Sequence, residues 1–167
     1  RPELFAAAKR SLEIRLSHGG GHTGWSRAWT ACLFARFGDA EKAFEHLTAL
    51  ICDFATVSLL DLHPPRIFQI DGNFGGAAAV CEMLVQSDGE TVTLLPACPA
   101  AWASGHAKGL RARGGFTLDF AWEQGRVTEL SVSGQGVCSV SADTPLSPAL
   151  AARRDADGLL RLRADAV

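Results

Sequence analysis

The hydrophobic period changes once along the chain, near Glu90, and that change limits the fold more than any other feature. Before it, apolar residues recur at helical spacing; after it, they alternate, with turn signals between the runs. The expected class is α plus β in separate segments. Residues 1–89 would be helical, and residues 90–167 would form a small antiparallel β-domain.

Four helices are predicted. Residues 2–16 place Leu4, Phe5, Ala8, Leu12 and Leu16 near one face, with Pro2 suited to the first turn. Residues 25–37 repeat Trp25, Trp29 and Leu33 every four positions. That spacing predicts a core stripe, although Trp25, directly after Gly24, could instead offer a stacking platform to a sugar. Residues 39–55 start at a plausible N-cap, Asp39, and carry a wide apolar face. The short Gly38-Asp39 connection predicts an antiparallel hairpin with the preceding helix. His46 is placed at a solvated edge, without function. Residues 74–87 form the fourth helix, rich in small residues, with Glu82 as a charge on its face.

Two loops interrupt this pattern. Ser17–Gly24 contains three consecutive glycines flanked by His18 and His22. It lacks the Lys-Ser/Thr ending of a phosphate loop. The histidines either border a pocket or lie on a plain helix connection. The second loop, within residues 61–76, reads DLHPPRIFQIDGNFGG. His63 precedes two prolines, which hold the chain out of helix. Ile67, Phe68 and Ile70 would draw the segment onto a core. Asp71-Gly72-Asn73 is a turn signal leading into a helix. Asp71 and Asn73 either cap that helix or present polar groups rigidly for chemistry.

After Glu90, residues 91–95 form an extended apolar run. Residues 96–105 are a Pro- and Gly-rich crossing. Phe116, Leu118, Phe120 and Trp122 then alternate on one face, and Gln124-Gly125 is a hairpin turn into Val127, Leu130 and Val132. A last strand is expected at 159–164. So small a sheet unit is expected to need packing help from helices.

Composition excludes several classes. The net charge is −2 with mixed signs, against a basic nucleic-acid surface. No apolar run approaches the roughly 20 residues of a membrane span. Five cysteines occur without any Cys-x-x-Cys pair, which argues against a zinc site and gives no sign of any metal or cofactor. Cys32, Cys52 and Cys81 are expected to be buried free thiols, with one disulfide possible among the five. The chain opens on Arg, which suggests a piece of a longer protein, and no compartment can be read from it.

Three motifs in order resemble one family. They are GGGHTGWSRAWTACLFARFGDAEKAFEHLTALI, HPPRIFQIDGNFGGAAAVCEMLVQS and LLPACPAAWASGHAKGLRARGGFTLDFAWEQGRV. Together they are similar to glycoside hydrolase family 95, whose members are largely α-L-fucosidases with some α-L-galactosidases. The resemblance implies late helices of an (α/α)6 barrel followed by a C-terminal β-domain. It implies inverting release of terminal α-L-fucose, often α1,2-linked to galactose. It carries over Asp71 as the general base, with His63, Gln69 and Asn73 as pocket or supporting groups; His22 and Trp25, read from the glycine loop and the helix start, are the further candidates for substrate contact. The family's glutamate acid, helper asparagines and Arg-His sugar-binding pair lie upstream and have no match here. The chain would thus need the rest of the barrel and an N-terminal domain as partners, and a fucosylated glycan as substrate. A different reading is a truncated, non-catalytic glycan-binding paralogue, with Trp25, Trp102 and Trp122 as stacking residues.

Overall fold

The computed structural model describes residues 1–165 and divides the chain into two compact units, Arg1–Met83 and Leu84–Val167. The first is helical. Helix α1 spans Pro2–Ser17, α2 spans Gly24–Arg36 and α3 spans Ala40–Ala49. Asp39 accepts the Lys42 N–H at the start of α3 and also receives the Lys9 ammonium at 2.7 Å. Beyond Ala49 the chain does not stay α-helical: Leu50–Phe54 widens into a π turn. Two short strands follow, β1 at Leu62–His63 and β2 at Ile67–Phe68, paired antiparallel across a cis Pro64–Pro65 bond. Helix α4 then runs Ile70–Leu84. It begins four residues earlier than predicted, so Asp71 lies inside its first turn.

Helices α2 and α4 run in the same direction. Gly24 and Gly72 flank one carboxyl, Ala28 meets Gly75, and Arg36 pairs with Glu82 at 2.6 Å, in matching order along both helices. Glu82 is thus the helix-face charge expected of it, anchored to α2. A Cβ on Gly75 would lie 2.7 Å from that of Ala28, so only glycine permits this approach.

The core of the first unit contains Leu12, Ala28, Phe34, Ala35, Ala43, Leu47 and Leu50. Trp25 and Trp29 are not a core stripe: they are 41% and 44% exposed. Helical spacing fixes a shared face but not which face is covered. Arg15 instead lies over the Trp29 ring at 5.5 Å. Ile67, Phe68 and Ile70 are likewise exposed rather than seated in a core. His46 is no edge residue. It is buried, stacked flat on Phe34 at 5.2 Å, and its Nδ1 accepts from Arg27 Nη1 at 2.8 Å. Because guanidinium only donates, this imidazole is held as the Nε2–H tautomer. Burial, then the neighbouring Arg27 charge, hold its pKa below the ordinary value.

The second unit is built from sheets. Strands β3 (Val85–Ser87), β4 (Val92–Leu94), β8 (Val137–Val140) and β9 (Leu160–Arg163) form one sheet in the order β3-β4-β8-β9. Its pairs are antiparallel except β4–β8, which is parallel. Strand β3 occupies residues predicted as the end of the fourth helix. Strands β5 (Gly105–Ala112), β6 (Phe116–Glu123) and β7 (Arg126–Ser133) form an antiparallel meander. Leu118, Phe120 and Trp122 are buried on one face, as alternation required. Gln124 and Gly125 both adopt positive φ, 50° and 70°, which makes the tight hairpin between β6 and β7.

A short helix, α5 (Pro148–Ala151), was not foreseen. After it, Arg154 donates to the carbonyls of Ser141, Thr144 and Gly158, tying three loop segments together. All five cysteines are free thiols. Cys52 and Cys81 are exposed, against the expectation of burial, while Cys32 and Cys98 are half-buried and Cys138 is buried.

Candidate active site

The irregular chain between the π turn and α4 is built by local hydrogen bonds. Thr56 folds a tight turn, accepting the Ser58 and Leu60 N–H groups on its Oγ1 and the Leu59 N–H on its carbonyl. Leu59 takes φ 61° there, a conformation that costs a bulky side chain about 1–3 kcal/mol. Asn73 holds this turn from α4. Its Nδ2 donates to the Leu59 carbonyl and its Oδ1 accepts the Asp61 N–H at 2.9 Å. The Asp61 carbonyl in turn accepts the Gln69 N–H at 3.1 Å. Leu59, Asp61, Gln69 and Asn73 therefore form one clasp.

Asp71 is exposed in the first turn of α4, between the two clasp residues Gln69 and Asn73. The partial positive charge of a helix start favours a carboxylate there. His63 is half-buried, its ring held at the Pro64 carbonyl. It borders a cleft of about 520 Å³ lined also by Asp53, Thr56, Leu62, Pro64 and Arg66. His22 and His18 are exposed, each bonded through Nδ1 to a backbone carbonyl of its own turn. Trp25 stands exposed at the start of α2. The structure therefore groups Gln69, Asp71 and Asn73 and places His63 at a cleft they do not line. Of the aromatic residues suggested for stacking, Trp122 is buried and donates its indole N–H to the Trp102 carbonyl at 2.8 Å, so its ring is not available to a sugar.

One residue of the site went unassigned in the sequence. Asp61 is 2% exposed, and among the described residues neither carboxyl oxygen is paired with a cation or a side-chain donor. A Cβ at either Gly24 or Gly72 would overlap that carboxyl. Burial drives the Asp61 pKa up. The nearby His63 pulls it down, Asp71 pushes it up again, and the Leu62 N–H lowers it slightly. The available signal was an aspartate enclosed by Leu59, Leu60 and Leu62, with glycines at two helix starts.

Comparison with known proteins bears on this arrangement. Residues 1–84 match the glycosyl hydrolase family 95 catalytic domain, and residues 86–157 match the glycoside hydrolase family 95 C-terminal domain. The chain belongs to glycoside hydrolase family 95. It is 40% identical over 153 residues to alpha-L-fucosidase 2 of Arabidopsis thaliana, covering 83% of this chain and 17% of that protein. It is 40% identical over 129 residues to "Probable alpha-fucosidase A" of Aspergillus oryzae, covering 68% of this chain and 18% of that protein. A protein of the same name from Aspergillus niger is 35% identical over 138 residues. The chain thus spans less than a fifth of the length of these relatives. The two matched segments coincide with the helical and β units of the chain, helices first and sheets second.

Proposed function

We propose that this chain is the C-terminal part of an α-L-fucosidase and that Asp71 is its general base. The observation that carries this reading is a carboxylate exposed on a clasped first helix turn, within a segment matched by the family's catalytic domain. The fucosidase names of the relatives supply the substrate class.

The helical unit would belong to an (α/α)6 barrel, with the β-unit as its C-terminal domain and the junction between residues 83 and 90. Parallel α2 and α4, separated in sequence by α3, fit a toroid in which alternate helices share a direction. Among the described residues, every large apolar side chain that is exposed, except Val137, lies in the first unit. Upstream barrel helices would cover that surface.

Chemically, inversion requires a base-activated water on one face of the sugar and a proton donor on the other, with carboxyls roughly 6.5–9.5 Å apart. Asp71 would take the proton of the attacking water, assisted by upstream amide side chains. An upstream glutamate would protonate the departing galactose oxygen. Gln69 and Asn73 hold the turn, while His63, His22 and Trp25 would line the approach of an α1,2-linked fucosyl glycan. An α-L-galactoside differs only at C6 and is the alternative substrate. In the complete enzyme, Asp71→Asn should lower fucose release by roughly 10²–10⁴-fold while leaving substrate affinity intact. Near-normal turnover would remove Asp71 from the mechanism.

A further inference from the structure

We propose that Asp61 is a positioning residue for Asp71: its carboxyl, wedged between Gly24 of α2 and Gly72 of α4, sets the helix turn on which Asp71 stands. This rests on the reading of Asp71 as the base. Three observations carry it. The residue is 2% exposed and, among the described residues, pairs with no cation, so it is not retained for an ion pair. The two glycines leave space that the carboxyl fills, and a Cβ on either would collide with it. Its backbone is fastened on both sides to the clasp, through Asn73 Oδ1 and the Gln69 N–H. Gly72 is the residue directly after Asp71, so whatever fixes Gly72 fixes the neighbouring base.

Burial raises the pKa of this carboxyl and so favours its neutral form. The charged groups acting on it are His63 on its own segment and Asp71 on α4, and they oppose each other. The partial positive charge of the two helix starts favours the anion and so acts against this burial effect. In its neutral form Asp61 shapes the turn without placing a second negative charge near the base.

The test uses the complete enzyme and two readouts. In infrared difference spectra between wild type and Asp61→Asn, a protonated-carboxyl C=O band should persist in wild type to a higher pH than an exposed aspartic acid allows, and be lost in the variant. In kinetics, Asp61→Ala should lower kcat by roughly 10–100-fold with KM little changed, from misplacement of the base. Asp61→Asn, isosteric and always neutral, should recover most of that loss. It should also retain activity at the pH values where ionisation of Asp61 slows the wild type. Absence of the band, or equal losses in the Ala and Asn variants, would overturn the proposal. So would a wild-type kcat in Asp61→Ala. If Asp61→Ala fails to fold, the band and the Asp61→Asn pH profile decide alone. Full activity of Asp71→Asn would strike the base assignment and with it the positioning role, while the infrared band would still report the Asp61 proton independently.

Discussion

Asn73 Oδ1 accepts the backbone N–H of Asp61 at 2.9 Å, across twelve residues of chain, while the same amide donates to the Leu59 carbonyl. One side chain thus satisfies a donor and an acceptor of a loop that has few regular partners. Asn73→Ala should cost about 1–3 kcal/mol, because both backbone groups lose their partner at once. Asn73→Asp keeps the acceptor but turns a carboxylate oxygen toward the Leu59 carbonyl, and should cost at least as much. Hydrogen exchange of the Asp61 amide and the melting temperature check both. Unchanged protection at Asp61 would mean that the loop is held elsewhere.

The glycine wedge makes a second prediction. Gly24 and Gly72 have no left-handed φ, so space rather than backbone conformation demands glycine. Gly72→Ala should destabilise the fold by about 1–3 kcal/mol through overpacking against Asp61. Shortening the neighbour should relieve it. In a double-mutant cycle, Gly72→Ala with Asp61→Ala should lose clearly less than the sum of the single losses. Additive losses would place the strain outside the Asp61 contact.

Acid stability should depend on His46. Its folded-state pKa is held below the unfolded value, mainly by burial and then by Arg27. The unfolded chain therefore binds more protons in the window below the ordinary histidine value, and stability falls as pH drops through it. His46→Gln should flatten the slope of melting temperature between about pH 7 and pH 5. A slope identical to wild type would assign that acid sensitivity to other groups.

Asp61 acts with the opposite sign. Its folded pKa lies above the unfolded one, so its contribution to stability is complete at low pH and is lost as pH rises through the folded value. Asp61→Asn should remove that loss and make the protein relatively more stable toward neutral pH. The comparison of urea midpoints for the two proteins at acid and neutral pH measures it.

Thiol reactivity should follow burial. Cys138 is fully buried, and burial pushes its pKa up to about 11, whereas Cys52 and Cys81 are exposed. Under native conditions iodoacetamide should label Cys52 and Cys81 well before Cys138. Early labelling of Cys138 would show that strand β8 opens readily.

Much of this was legible from period and punctuation. Alternation at Phe116–Trp122 and the Gln124-Gly125 turn located a hairpin because both signals are local. The parallel pairing of Val92 with Val140 was not legible, since it joins segments far apart in sequence. Strand β3 was hidden because Val85 and Gln86 continue an apolar helix pattern. Trp25 and Trp29 share a face as their spacing requires, but spacing carries no information about what covers that face. The polar residues around the start of α4 were visible as Gln69, Asp71 and Asn73. Asp61 was not, because its meaning depends on two glycines, 24 and 72, that only folding brings to one carboxyl.

The meeting of Gly75 with Ala28 has a mechanical consequence. Two helices touching through a hydrogen and a methyl have no side-chain cushion between them, and packed interiors deform little. A sideways or axial displacement of α2 is therefore passed to α4 nearly undiminished, and Asp71 rides on the first turn of α4. Trp29, exposed beneath Arg15, stands on the same rigid helix pair, so a load on its ring would bear on the helix that carries Asp71.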